Sequence, residues 1–130
     1  NIAPNSAHIA YCFAPKQGYS KFGSYTGNGN VDGTFVYTGF KPAFVMVKIT
    51  SEASNWDIST GVISANQINE RLRANLSNAE ESSGYIDFLS NGFKMRNTNT
   101  SQNKSGSTYI YMAFAKNPFV TSSGVPATAR

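Results

Sequence analysis

Glycines interrupt a run of aromatic residues through the first part of the chain, between residues 11 and 50. Phe and Tyr favour β-strands, whereas Gly at this density prevents a helix of ordinary length. The pattern is carried by Tyr19, Phe22, Tyr25, Phe35, Tyr37, Phe40 and Phe44, interleaved with Gly18, Gly23, Gly27, Gly29, Gly33 and Gly39. It predicts short strands joined by tight turns, the clearest turn being residues 26–33, where Gly, Asn and Asp cluster.

The remaining apolar segments extend this fold class along the chain. Residues 44–50 are apolar on both alternating faces, which predicts burial on both sides of a sheet. Asn91 and Gly92 favour a hairpin between two neighbouring strands. Strands are predicted over residues 8–14, 19–25, 35–38, 44–50, 55–59, 85–89, 93–96 and 108–115. One domain over residues 1–130 is expected: an all-β, compact antiparallel β-sandwich with Gly/Asn-rich loops and at most one short helix.

Two segments near the ends share a pattern, IAYCFAP at residues 9–15 and IYMAFA at residues 110–115. Their similarity predicts that they lie side by side. The single cysteine, Cys12, stands between Tyr11 and Phe13, which predicts a buried, inert thiol.

Three polar regions give weaker signals. Ile68, Leu72 and Leu76 recur every fourth residue within residues 65–81, but the many Asn residues between them disfavour a helix. A short helix and an irregular segment both remain open there. The polar composition of residues 97–107 predicts an exposed, mobile loop, and residues 121–130 are predicted to form a polar tail.

Composition restricts the classes of partner. Charged residues make up 14% of the chain, and its net charge of +4 comes from basic residues that are scattered rather than clustered. This distribution predicts no nucleic-acid binding and, at most, a mild attraction to anionic cell-surface polymers. No apolar run is long enough to insert in a membrane. The chain starts at Asn1, so a processed product or a segment of a longer protein is expected.

Catalytic and metal-binding patterns are weak. The single histidine, His8, could act as a general base, but the sequence contains no recognisable nucleophile motif for it to activate. One His and one Cys are too few ligands for a structural zinc site. Residues 28–33 resemble the start of a calcium loop, but Gly39 stands where the glutamate belongs, so a neutral turn is predicted. The sequence singles out no carboxylate pair for glycoside hydrolysis. No enzyme activity, metal or cofactor is predicted.

Carbohydrate binding requires less, because an aromatic ring can stack on a sugar while amides and carboxylates bind its hydroxyls. Two clusters meet this requirement and are the predicted ligand-binding residues: Trp56 with Asn55 and Asp57, and Tyr25 with Asn28 and Asn30. The alternative for Trp56 is a place in the core, where large side chains of small domains are often found.

Four blocks of the sequence carry a resemblance to a known family. They are YCFA at residues 11–14, GYSKFGSYTGNGNVDGTFVYTGFKPAFVMVK at residues 18–48, IDFLSNGFKMR at residues 86–96 and YIYMAFAKNPF at residues 109–119. These blocks, with the ending TSSGVPATAR, resemble the C-terminal domain of tail-fibre and other virion structural proteins of aquatic bacteriophages.

The resemblance implies a β-rich structural module in the phage virion, next to other virion proteins, with a role in host attachment. Phage fibres are commonly trimeric, so a homo-oligomer, with a trimer favoured, is expected. Some of Phe22, Tyr25, Phe35 and Tyr37 are then expected between subunits. The function it suggests is a tail-fibre receptor-binding domain that contacts a host-surface glycan. The alternatives are a capsid-decorating or assembly domain without a ligand, and a polysaccharide-degrading enzyme.

Overall fold

A computed structural model describes residues 7, 9–61 and 66–118 of the chain. Within those residues it contains eight strands and one short helix. They are β1 (Ser20–Thr26), β2 (Phe35–Tyr37), β3 (Pro42–Ile49), β4 (Asp57–Thr60), β5 (Ile68–Arg73), β6 (Glu81–Leu89), β7 (Gly92–Met95), α1 (Thr100–Asn103) and β8 (Thr108–Ala115). None of the described helical segments is long and apolar enough to cross a membrane.

The strands form one antiparallel sheet in the order β1-β8-β3-β4-β5-β6-β7-β2. A short ladder between β4 and β5, with Asp57 opposite Arg73 and Ile58 opposite Leu72, joins the two halves. The prediction of an all-β, antiparallel fold with one short helix is confirmed. The two layers of the predicted sandwich are halves of one continuous sheet, β1-β8-β3-β4 and β5-β6-β7-β2.

The two halves pack against each other through aromatic side chains. Phe93 on β7 contacts Tyr111 on β8 and Tyr25 on β1, with ring centroids 5.4 and 6.1 Å apart. The buried apolar side chains that share this core are Tyr25, Val36, Phe40, Val45, Val47, Ile49, Ile68, Ile86, Phe88, Phe93, Met95, Tyr109, Tyr111 and Ala113. Both halves therefore turn one side inward to a common core.

The edge strands β1 and β2 lie near each other and nearly close the sheet. Lys21 Nζ on β1 donates to the carbonyl oxygen of Tyr37 at 3.0 Å. The Thr34 hydroxyl, just before β2, donates to the carbonyl oxygen of Thr26 at 2.7 Å. Side chains thus occupy backbone acceptors at the edges, where an open sheet would otherwise invite another strand.

Several local predictions are confirmed by the structure. The hairpin at Asn91 and Gly92 joins β6 to β7, with Leu89 opposite Gly92. The strands predicted over residues 19–25, 35–38, 44–50 and 108–115 correspond to β1, β2, β3 and β8. The strand predicted over residues 55–59 begins at Asp57, as β4.

Three predictions about local structure are wrong. Residues 68–73, within the segment expected to be a helix or irregular, form β5. Residues 9–14 form no strand and do not pair with residues 110–115. The loop predicted to be exposed at residues 97–107 contains α1, and its Gln102 and Asn103 are fully buried.

Two predictions of burial also fail. Cys12 is exposed rather than buried. On β3, Val45 and Val47 are buried, but Phe44 and Met46, on the opposite side, are only half-buried. His8 and the predicted tail at residues 121–130 lie outside the described residues.

Candidate functional site

The outer side of the first half of the sheet is apolar. One row of side chains crosses five strands, because Phe22 lies opposite Met112, Met112 opposite Met46, Met46 opposite Ile58 and Ile58 opposite Leu72. We call the outward surface of these strands the apolar face; Ser24, Lys48 and Thr60 lie on the same side, but most of its residues are apolar, namely Phe22, Phe44, Met46, Trp56, Ile58, Leu72, Ile110, Met112 and Phe114. An antiparallel sheet with one side on the core commonly turns polar residues outward, so this surface departs from the usual pattern.

The apolar face is open to solvent. Ile110 is 41% exposed, Leu72 39% and Trp56 37%. A groove of about 620 Å³ lies on the face, with Phe22, Met46, Trp56, Ile110 and Met112 in its lining. Exposed contiguous apolar surfaces are common at sites of protein or ligand contact.

A segment before β1, residues 9–15, crosses one end of this face; we call it the arm. Phe13 packs on Phe22 and on Phe114, with ring centroids 6.0 Å apart in both pairs. The Ser20 hydroxyl donates to the carbonyl oxygen of Ala14 at 3.1 Å and fixes the base of the arm. Further out, Ile9 and Tyr11 are almost fully exposed.

Trp56, one of the predicted sugar-binding residues, lies at the border of the apolar face. Its backbone N–H donates to Asn75 Oδ1 at 2.9 Å, and Asn75 Nδ2 donates to Asn55 Oδ1 at 2.9 Å. The ring is exposed, so the alternative of a core tryptophan does not hold. Its neighbours in the groove are Met46, Ile110 and Met112, which offer few partners for sugar hydroxyls.

Asp57 does not lie beside Trp56 on the surface, because it points to the inner side of the sheet and is only 1% exposed. Its carboxylate is held by Arg71 at 3.1 Å, with Arg73 at 3.8 Å. Both arginines also pair with Glu81. This buried ion-pair cluster lies at the β4–β5 ladder, the joint between the two halves of the sheet. The carboxylate of Asp57 is therefore used in ion pairs within the fold.

Tyr25 of the second predicted cluster lies in the core. Its ring stacks on Tyr109, with centroids 5.0 Å apart, and its hydroxyl donates to the carbonyl oxygen of Gln102 at 2.5 Å. Burial raises the pKa of the Tyr25 hydroxyl well above its usual value. The ring presents no free side on which a sugar can stack.

Asn28 and Asn30 hold the turn between β1 and β2. Asn28 Oδ1 accepts hydrogen bonds from Asn103 Nδ2 at 3.1 Å and from the N–H of Asn30 at 3.0 Å. Asn30 Oδ1 accepts from the N–H of Asp32 at 2.9 Å. These amides are engaged in hydrogen bonds of the turn. Among the described residues, no group of three His, Cys, Asp or Glu side chains is placed to hold a metal ion.

The outer side of β6 and β7, which we call the polar face, contrasts with the apolar face. It comprises Ser83, Tyr85, Asp87, Lys94 and Arg96, with Asp32 from the turn beside them. Arg96 Nε donates to Asp87 at 2.6 Å, and a second guanidinium nitrogen of Arg96 lies 3.2 Å from Asp32. Lys94 Nζ lies 2.6 Å from the same Asp32 oxygen.

These pairs shift the ionisation of two members of the polar face. The hydrogen bond from Lys94 lowers the pKa of Asp32, and the hydrogen bond to Asp87 raises the pKa of Arg96. The cluster combines two acidic side chains, Asp32 and Asp87, with two basic ones, Lys94 and Arg96. The polar face therefore carries fixed charges but no net charge from this cluster.

A groove of about 380 Å³ runs along the polar face beside Tyr85 and Arg96 and continues over residues 97–99. Sequence reasoning did not select Tyr85, although its exposed position follows from the alternation of β6, in which Gly84 and Ile86 point inward. The groove is lined by segments that are far apart in the chain, so no local sequence motif predicts it.

Residues 1–118 match the sequence model of the family described as Domain of unknown function (DUF7483). The chain belongs to this family. No curated protein and no solved structure matches the chain. Family membership assigns no activity or ligand to the surfaces described above.

Proposed function

We propose that the domain is a structural module of a bacteriophage virion, of the tail-fibre type, that acts by surface contact rather than by catalysis. It assembles with further copies of itself through the apolar face and turns the polar face toward a host-surface glycan. The observation that carries this proposal is the apolar face, with its row of five side chains on five strands. The virion location rests on the resemblance of the sequence blocks described above.

A second copy of the chain is the occupant that best fits the apolar face. The arm exposes Ile9 and Tyr11, and the groove on the apolar face is lined mostly by apolar side chains, so each copy carries both an exposed apolar segment and an apolar surface that can receive one. When each arm lies on the next copy, the contacts are head-to-tail and close into a ring under cyclic symmetry. We favour three copies, the number that the fibre resemblance implies.

The first test of the assembly is the mass of the 130-residue chain in solution, measured by light scattering. A multiple of the single-chain mass is expected. The Ile110→Lys variant should reduce it to one chain, because a lysine in the groove places a charge in an apolar contact. Tyr85→Lys is the matched control, since Tyr85 is equally exposed, at 41%, but lies on the polar face.

The two variants also define the results that contradict assembly through this face. A wild-type chain that remains a single copy at every concentration would refute it. So would an assembly that Ile110→Lys leaves intact while Tyr85→Lys dissociates it. Circular dichroism of each variant separates loss of assembly from loss of folding.

An assembly domain without a glycan ligand is the second candidate. It is favoured by the position of Trp56, which lies among apolar side chains, and by the burial of Tyr25 and Asp57. This candidate predicts assembly of the wild-type chain together with no saccharide binding at any surface. The saccharide titrations described below therefore discriminate between the two candidates.

A further inference from the structure

The groove on the polar face has the dimensions of a small-molecule site. Its volume of about 380 Å³ falls within the range of roughly 300–1,000 Å³ that such sites occupy. Ser83, Tyr85 and Arg96 contribute from β6 and the end of β7, and Thr98 and Asn99 from the loop before α1. One aromatic ring among polar groups is the composition that an amphipathic ligand requires.

Tyr85 is held on a rigid element. The carbonyl oxygen of Tyr85 accepts hydrogen bonds from the N–H of Arg96 at 2.8 Å and from Asn97 Nδ2 at 3.2 Å. Its neighbours Gly84 and Ile86 are buried, so the strand is anchored on the inner side while the Tyr85 ring projects outward. A ring positioned in this way loses little conformational freedom when a ligand stacks on it.

Arg96 faces the same groove with its orientation fixed. Asp87 and Asp32 hold two of its three guanidinium nitrogens. Among the described residues, the third nitrogen has no hydrogen-bonded partner, so its N–H groups remain available to a ligand. The carboxylates of Asp32 and Asp87 balance the cations of Lys94 and Arg96. Because this cluster adds no net charge, the groove favours a neutral ligand over an anionic one.

Asn99 supplies an oriented acceptor on the loop side. Its Nδ2 donates to the carbonyl oxygen of Ser83 at 2.7 Å, and its backbone N–H donates to Asn97 Oδ1 at 2.9 Å. The first bond orients the side-chain amide and the second holds the backbone beside it, and among the described residues no hydrogen bond is made to Asn99 Oδ1, which can therefore accept one from a ligand. Donors on Arg96 and an acceptor on Asn99 thus flank the Tyr85 ring.

We propose that this groove binds a neutral saccharide, with a pyranose ring stacked on Tyr85 and its hydroxyls hydrogen-bonded to Arg96 and Asn99. A hydroxyl both donates and accepts, so it matches a groove that offers both kinds of partner. This proposal rests on the proposed glycan contact and locates that contact in the polar-face groove, away from Trp56. It also leaves the site open when the apolar face is covered by another copy.

The test uses saturation-transfer NMR on the full 130-residue chain, observed on the free sugar, so that the oligomer size does not matter. The probes are glucose, galactose, mannose and N-acetylglucosamine, each at ~10 mM, because a single shallow site is expected to bind in the millimolar range. At least one probe should receive saturation. Tyr85→Ala should weaken its binding about fivefold to tenfold, the scale of one lost aromatic contact.

Matched variants make the result decisive. Tyr85→Phe keeps the stacking ring and should retain binding, whereas Tyr37→Ala, at an exposed tyrosine on β2, should have no effect. Loss of binding in Trp56→Ala but not in Tyr85→Ala would overturn the groove and preserve the glycan contact. No saturation of any probe would overturn both, while the light-scattering result would still stand for the assembly.

Discussion

The apolar face and the polar face lie on the same sheet and share one core, yet their outward residues have opposite chemistry. On β8, Ile110 and Met112 point outward, whereas the corresponding outward residues of the second half are Lys94 on β7 and Arg96 just after that strand. The inner residues of both halves are largely apolar, because they meet in the same interior, and the ion-pair cluster of Asp57 and Arg71 is the charged part of that side. Folding therefore fixes the composition of the inner side, whereas the composition of the two outer sides is free to differ.

The largest expected effect comes from removing the core that both faces depend on. Phe93→Ala deletes the ring that contacts Tyr25 and Tyr111 across the two halves. We expect it to lower the free energy of unfolding by about 3–5 kcal/mol, the usual cost of such a deletion in a core. Urea denaturation measures this change.

Phe35→Ala is the control for that experiment. Phe35 lies on β2, beside β7, but its ring is 43% exposed. Its loss should cost less than about 1 kcal/mol, as for most exposed positions. Equal losses in the two variants would mean that the halves do not share the core described above.

The second prediction concerns the joint between the halves. Asp57→Ala leaves Arg71, which is only 7% exposed, beside a missing carboxylate. Breaking a buried ion pair on one side costs about 3–5 kcal/mol, and we expect the lower end because Glu81 still pairs with Arg71. Thermal or urea unfolding provides the measurement.

Glu52→Ala is the surface counterpart of Asp57→Ala. Glu52 pairs with Lys104 in the open, where such pairs contribute about 0–1 kcal/mol. A loss at Glu52 as large as the loss at Asp57 would contradict the assignment of the buried cluster as the joint.

The third prediction is a loss of stability in alkali. Burial raises the pKa values of Tyr25, Tyr109 and Tyr111 above their usual value of 10.0. Their contribution to stability is complete below the pKa of the unfolded chain and is lost as the pH rises through the folded values. Urea unfolding at pH values from about 8 to about 11 should therefore show falling stability above pH ~10.

The inner tyrosines can be separated from other alkaline effects by one variant. Tyr25→Phe removes the hydroxyl that donates to Gln102 and should make the alkaline loss shallower, even though it lowers stability at neutral pH. An unchanged slope in Tyr25→Phe would argue against a contribution from this residue.

The smallest effect is expected on the polar face. Asp32→Asn removes the partner of Lys94 and Arg96 at an exposed position, so the thermal midpoint should change little, and less still at high salt. Because the pKa of Asp32 is lowered, its contribution is present above the unfolded carboxyl value of about 4 and is lost as the pH falls below it. A large, salt-independent fall in the midpoint would contradict this account.

The strands that the sequence predicted correctly are those with strong local signals. β3 and β8 have β-branched and aromatic residues in succession, and the β6–β7 hairpin has Asn-Gly at its turn. β5 was missed because Leu72 and Leu76, which suggested a helical period, are exposed residues rather than one buried face. A repeat of apolar residues every fourth position indicates a helix only when those residues form one buried face.

The candidate site was less predictable than the fold. Trp56 is exposed, but Tyr25 and Asp57, which were selected on the same grounds, are buried by strands distant in the sequence. Gln102 and Asn103 are buried because residues of the turn and of the neighbouring loop bond to them, which a polar loop sequence does not reveal. Residue types indicate which side chains could bind a ligand, but strand register decides which side of the sheet each of them faces.

The order of the strands also determines how the domain responds to force. Ser20 at the start of β1 lies opposite Phe114 near the end of β8, so the chain enters and leaves the sheet at one corner. Tension between these points opens the hydrogen bonds of the β1–β8 ladder one after another, like a zipper, instead of shearing them together. A load applied between Ser20 and Phe114 is therefore expected to open this edge of the sheet before the other strands separate.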